Sequence, residues 1–153
     1  MNADLGLEHQ AIEEVLLGYA FALDGRRWAD LTQVFSSDAV ADYRGIGVFE
    51  GRDAIVGVVR DFLEACGPTQ HMITNISVIV DGDLARSRCY LQATHAGIGK
   101  YAGKTMTVWG EYLDRLEQRP EGWRIVHRML AVQHVAGDVG VALSAVSSVA
   151  RAP

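Results

Sequence analysis

The chain opens on an apolar stripe of helical period. Ile12, Val15, Leu16, Tyr19, Ala20 and Leu23 recur at three- and four-residue spacing, which puts them on one face of an α-helix. Glu8, Glu13 and Glu14 place negative charge toward its start, where the helix dipole favours it, and Gly25 offers an end. A short second helix is predicted with Trp28, Leu31, Val34 and Phe35 on one face. The period then changes. Residues 39–44 and 48–50 flank Gly45-Ile46-Gly47 and predict a small hairpin closed by glycines. Asp53 is the expected N-cap of a third helix, with the stripe Ile55, Val58, Val59, Phe62 and Leu63. Gly67-Pro68 stops it.

Beyond Pro68 the period is two. Residues 70–80 and 84–94 read as strands joined at Asp81-Gly82-Asp83, and residues 105–116 and 123–134 as a second pair around the turn 118–122. In the second of these strands, alternation puts Ala85, Ser87, Cys89, Leu91, Ala93 and His95 on one small, mostly uncharged face, as a cavity wall requires. Arg86, Arg88 and Gln92 fall on the solvated side. Helices followed by a strand meander predict an α+β fold, with three N-terminal helices on a strongly curved, mostly antiparallel sheet. Helices and strands do not alternate, which argues against a doubly wound parallel fold. No repeat or low-complexity linker divides the chain, and 153 residues are expected to form one domain, 1–153, with its core over about 7–134. The tail, 136–153, is rich in Ala, Val, Ser and Gly and is expected to cover the cavity mouth as a lid or to meet a neighbouring subunit.

Composition narrows the partners. A formal net charge of −5 with no basic run argues against nucleic acid, a polyanion that would be repelled at long range. No run of apolar residues is long enough to span a membrane, and the polar, acidic N-terminus does not read as a signal peptide. Cys66 and Cys89 have neither metal-site nor redox spacing and read as buried thiols of a reducing compartment, so a cytoplasmic location is expected.

Polar residues inside apolar stretches carry the candidate chemistry, because burying them without partners is unfavourable. Asp24 closes the apolar face of the first helix and fits either a solvated helix end or an inward carboxylate. His71 opens the first long strand and fits either a structural imidazole or a general base titrating near neutrality. A carboxylate on the far nitrogen would fix its tautomer and stabilise the cation formed on proton uptake, and Asp24 is the candidate. Tyr43 is either a packed strand aromatic or a phenol that polarises a substrate oxygen, and His95 sits at the end of the small-residue face. No HExxH or paired-histidine spacing is present, and His127 and His134 lie seven residues apart. There is no GxSxG elbow and no glycine-rich phosphate loop, so neither a metal nor a cofactor is expected.

Taken together these residues resemble scytalone dehydratase and the SnoaL-like group of the nuclear-transport-factor-like (cystatin-like) cone superfamily. The matching segments are Asp24 followed four residues later by Trp28, Asp42-Tyr43-Arg44, Thr69-Gln70-His71, Tyr90 with Gln92, and Gly122-Trp123-Arg124-Ile125. The Asp24-to-His71 spacing is also similar to that of hexachlorocyclohexane dehydrochlorinase and the bile-acid dehydratases. The resemblance implies a cone-shaped α+β barrel with Asp24, His71 and Tyr43 as catalytic residues, and His95 as an approximate match to a second histidine. Leu23 stands where the dehydratase has its second tyrosine, and the region of Gly110-Glu111 has no match to its asparagine.

The implied activity is a cofactor-independent lyase of dehydratase type. Its substrate would be a small hydrophobic ring bearing a carbonyl, such as a polyketide or steroid-like metabolite. His71 would remove a proton next to the carbonyl, Asp24 would orient His71, Tyr43 would donate to the oxygen and His95 would return a proton to the leaving hydroxyl. An isomerase or cyclase could use the same dyad. A non-catalytic ligand-binding or scaffold module, like the dioxygenase small subunit, is the alternative of a different class. The resemblance further implies a homo-oligomer, trimer or dimer.

Overall fold

A computed structural model describes residues 3–143 of the chain. Helix α1 (Ala3–Asp24) is followed by a 3-10 helix (Trp28–Gln33), strands β1 (Phe35–Tyr43) and β2 (Gly47–Glu50), and helix α2 (Arg52–Glu64). Four long strands complete the sheet: β3 (Thr69–Asp81), β4 (Leu84–Ala96), β5 (Thr105–Arg119) and β6 (Gly122–Gly137). A second 3-10 turn (Gly99–Tyr101) links β4 to β5, and a short helix α3 (Gly140–Leu143) follows β6. The class is α+β, as the helix-then-meander order predicts.

The six strands run in the order β2-β1-β6-β5-β4-β3, and every neighbouring pair is antiparallel except β1–β6. That parallel pair brings the N-terminal hairpin beside the last strand, with Ala41 opposite Arg128 and Tyr43 opposite Leu130. The sheet stays open, with β2 and β3 at its edges, so strand pairing does not close the cone. α1 packs along β3, α2 against β1, and together they cover the inner face. Register shifts in β1, β3 and β6 each insert an irregularity of the kind that bends strands, including one at Asn75 with φ 54°.

The core forms where the stripes meet. Ile12, Leu16, Tyr19 and Leu23 of α1, Ile55 and Leu63 of α2, and the small face of β4 are all buried. Every inward residue predicted for β4, from Ala85 to His95, is on the inner side, while Arg86, Arg88 and Tyr90 are exposed on the other.

Local boundaries differ from expectation in four places. The second helix is a 3-10 turn that stops at Gln33: Leu31 and Val34 are buried as expected, but Phe35 already begins β1. The N-cap of α2 is Gly51, whose φ of 89° suits a glycine, and Asp53 sits in the first turn instead, where the dipole still favours its charge. α1 is already helical at Ala3, so Asp4 is its first-turn acid, and Glu8 accepts a hydrogen bond from the Trp123 indole. In the tail, β6 runs through to Gly137. Val141 and Ala142 of α3 are fully buried, and Gly140 lies directly against the Tyr101 ring. The rest of the segment expected to act as a lid lies outside the described residues.

Candidate functional site

The end of α1 and the start of β3 meet at Asp24. Its carboxylate accepts three hydrogen bonds: from the Thr69 hydroxyl (2.9 Å) and the His71 ring Nδ1 (2.6 Å) on Oδ1, and from the His71 backbone N–H (2.8 Å) on Oδ2. Burial alone would raise the Asp24 pKa, but the hydrogen bonds from the His71 ring and backbone and from Thr69 outweigh it and hold the carboxyl below its usual range. An ionised carboxylate is acceptor-only, so Nδ1 of His71 carries the proton in this pair. Nε2 is left with no protein partner among the described residues.

Arg26 fixes this junction. Its φ of 54° is unusual for a non-glycine residue and destabilises by roughly 1–2 kcal/mol, but it turns the chain sharply after α1. The guanidinium repays that strain with four hydrogen bonds. Nη1 donates to the Leu23 carbonyl (2.8 Å) and the Thr69 hydroxyl (2.9 Å), and Nη2 to the carbonyls of Leu63 (3.1 Å) and Gly67 (2.7 Å). One side chain thus ties the last turns of α1 and α2 to the first residue of β3. Thr69 relays the contact, accepting from Arg26 and donating to Asp24.

His71 faces a cavity of about 240 Å³ between the helices and the inner face of the sheet. The walls are apolar, built by Leu23, Val59, Phe62, Leu91, Met106 and Leu130 among others. The ring of His71 is almost enclosed, with a side-chain exposure of 6%. His95 lies 5.7 Å away, centroid to centroid, with its ring nearly perpendicular. Burial lowers its pKa to about 4, so near neutral pH it is uncharged. Its Nδ1–H therefore donates to the Met106 carbonyl at 3.1 Å. Tyr43, at the end of β1, is buried and lines the same cavity, its hydroxyl 3.4 Å from that of Tyr19. Burial, with Tyr19 adding to it, pushes the Tyr43 phenol well above its ordinary pKa and keeps it protonated.

All four candidate residues therefore line or support one cavity: His71, His95 and Tyr43 in its wall, Asp24 behind His71. The sequence reading missed Tyr19 and Tyr112, which line the cavity beside Tyr43. It also missed a buried ion pair. Arg128 of β6 donates to both oxygens of Asp114 on β5 (2.8 and 2.7 Å), with both side chains fully enclosed. Its guanidinium carbon stacks 3.9 Å from the Tyr112 ring centroid and 4.4 Å from that of Tyr19. Burial works against the charge on Arg128, but Asp114 outweighs it. Strand alternation was the available signal: Asp114 shares the parity of Tyr112 and Leu116, and Arg128 that of Leu130. Among the described residues no group of three or more His, Cys, Asp or Glu side chains converges as metal ligands. No helix among them is long and apolar enough to cross a membrane.

Comparison with known proteins bears on the family and the fold. Residues 7–129 match the family model of the SnoaL-like domain. An uncharacterized protein of Mycobacterium tuberculosis is 37% identical over 121 residues, covering 77% of this chain and 80% of that one. Among solved structures, a provisionally assigned scytalone dehydratase of Novosphingobium aromaticivorans superposes with a TM-score of 0.79 at 23% identity, covering 89% of this chain and 91% of that one. The hexachlorocyclohexane dehydrochlorinase LinA-type3 of Novosphingobium barchaimii gives 0.78 at 16%, covering 90% and 94%. At such identities the structures establish the fold, the nuclear-transport-factor-like cone. The family model establishes more: the chain belongs to the SnoaL-like domain family.

Proposed function

We propose that the protein is a cofactor-independent lyase of dehydratase type, acting on a small hydrophobic ring that bears a carbonyl group. The observation that carries this reading is the 2.6 Å contact between Asp24 and Nδ1 of His71, in a ring whose other nitrogen is unpartnered and lines an apolar cavity. Nε2 is the base. It takes a proton from the carbon next to the carbonyl, and Asp24 stabilises the imidazolium that forms. The electron pair of that C–H bond becomes the new C=C bond as the C–O bond to the leaving hydroxyl breaks. The proton on Nε2 departs with the hydroxide as water, so the atoms balance and nothing is oxidised. Tyr43 and Tyr19, whose hydroxyls lie 3.4 Å apart in the cavity wall, donate to the carbonyl as negative charge develops there. His95, neutral and with its Nδ1–H engaged by Met106, presents Nε2 as an acceptor. It orients the leaving hydroxyl rather than protonating it near neutral pH.

Base catalysis of this kind contributes typically about 10²–10⁴-fold, and the enclosed cavity supplies positioning and exclusion of water. The provisional dehydratase and the dehydrochlorinase of the same fold both carry names of elimination enzymes, which supports the assignment. The test is deuterium incorporation, read by NMR, at the α-carbon of a panel of ring ketones headed by 1-tetralone. Proton abstraction is detected whether or not a leaving group is present. The wild-type chain is expected to accelerate exchange, and His71→Ala to return it to the buffer rate. Equal exchange by the two proteins, or no acceleration by wild type across the panel, would replace the lyase with a ligand-binding module.

A further inference from the structure

Among the described residues the cavity lining holds one permanent charge, and its side chain is exposed at the mouth. Arg44 sits with Gly45 and Ile46 in the turn between β1 and β2, and all three line the cavity. The backbone there is pinned: the Arg44 N–H donates to the Leu130 carbonyl (3.3 Å) and the Ile46 N–H to the Tyr43 carbonyl (2.8 Å). The Arg44 side chain is not. It is 62% exposed, and its nearest carboxylate, Asp42, stands 3.9 Å from Nε, beyond hydrogen-bond reach. Among the described residues no acceptor takes a hydrogen bond from this guanidinium. Arg26 is engaged by four acceptors, and Arg128 by both oxygens of Asp114 through Nε and Nη2, its buried Nη1 having no partner among the described residues.

This distribution gives a ligand a direction. The deep end offers phenols and a neutral His95, with Arg128 fully buried behind Tyr19 and Tyr112. A charged group pushed there would lose its hydration without a free counter-ion. At the mouth it would keep its water and meet a planar fork of donors suited to two parallel hydrogen bonds. A chain of net charge −5 repels anions at long range, so the Arg44 cation at the mouth, only loosely paired with Asp42, acts as local compensation.

We propose that Arg44 binds a carboxylate carried by the substrate, so that the ligand is an apolar ring acid with its ring toward His71 and its carboxylate at the mouth. The proposal rests on the lyase reading for the orientation toward His71, and it is tested by binding alone, without turnover. Isothermal titration of the full chain with 2-naphthoate and with its neutral isostere 2-naphthamide reads the effect. Wild type is expected to prefer the carboxylate about fivefold at low salt, the range of a partly exposed ion pair, and less at high salt. Arg44→Gln is expected to abolish the preference and Arg44→Glu to reverse it. His71→Ala is expected to keep it, so a failed dyad and a failed anion site give different results. The wild-type comparison of the two ligands needs no variant to fold. Equal affinity of wild type for the two ligands, no binding of either up to millimolar concentration, or an unchanged preference in Arg44→Gln would overturn the proposal.

Discussion

Two carboxylate-centred pairs flank the inner face of this sheet, and they are built for opposite ends. Asp114 and Arg128 are sealed, joined by two parallel hydrogen bonds and capped by tyrosine rings, with no route to a ligand. Asp24 and His71 are joined by one ring contact, the carboxylate is 24% exposed, and the imidazole borders a cavity. The first pair holds a charge in place where nothing reacts with it. The second holds a titratable ring with one nitrogen committed and one free. Burial of charge is common to both, so burial does not distinguish a structural pair from a functional one. The free nitrogen beside an open volume does.

The two pairs differ most in activity. His71→Ala is expected to lower ketone exchange by about 10²–10⁴-fold while leaving the circular dichroism spectrum unchanged. Loss of that spectrum would mean His71 is structural after all. The sealed pair answers in stability instead. Asp114→Asn strands a buried guanidinium and is expected to destabilise by about 3–5 kcal/mol in urea unfolding. The same change at Asp24, partly exposed and with Thr69 still present, is expected to fall well short of that. A joint replacement by matched apolar residues, Arg128→Met with Asp114→Leu, is expected to recover most of the loss, because neither charge is then left alone.

A third difference lies in pH. His95 has a folded pKa of about 4, lowered from an ordinary histidine near 6.5 by burial. The unfolded chain therefore binds this proton first as pH falls. Stability from His95 is fully present above about pH 6.5 and declines down to about pH 4, by about 3 kcal/mol at most. Asp24, whose folded pKa is depressed, contributes stability that is lost only in a lower window, below the ordinary carboxylate range. Urea unfolding from pH 7 to pH 4.5 is expected to show the first slope in wild type and to lose most of it in His95→Phe. The smallest effect concerns the phenols. Tyr43→Phe and Tyr19→Phe each remove one donor of a pair 3.4 Å apart, and each is expected to slow exchange about tenfold, the worth of one hydrogen bond.

Much of this was legible from residue order. The α1 stripe, the glycine-closed hairpin and the alternation of β4 all reach the structure nearly unchanged, because burial enforces each period along its whole length. The contact of Asp24 with His71 was reached through motif resemblance, since 47 residues separate them and no local rule joins a helix end to a strand start. Arg26 was beyond any pattern: its left-handed turn and four carbonyl and hydroxyl partners exist only once α1, α2 and β3 are assembled. Phe35 was misplaced because an apolar residue at a helix-to-strand junction satisfies both periods. Asp114 and Arg128 were within reach of the parity rule applied to β4, but charged residues in long strands invite a solvent-facing reading. Tyr19 was read as core, and it is core. Its hydroxyl, five residues before Asp24, is what brings it into the site.

Which nitrogen of His71 is free decides whether the pair presents a base to the cavity. Long-range ¹⁵N–¹H NMR of histidine-labelled protein at about pH 8.5 reads this directly, because protonated and unprotonated ring nitrogens differ widely in shift. The Asp24 carboxylate accepts from Nδ1–H and from two further donors, whereas an asparagine there would turn its NH₂ toward at least one of them. In wild type His71 is expected to be protonated at Nδ1 and bare at Nε2, and Asp24→Asn is expected to shift it toward the opposite tautomer. A wild-type His71 protonated at Nε2, or a tautomer indifferent to Asp24→Asn, would contradict the claim that this pair presents a base to the cavity.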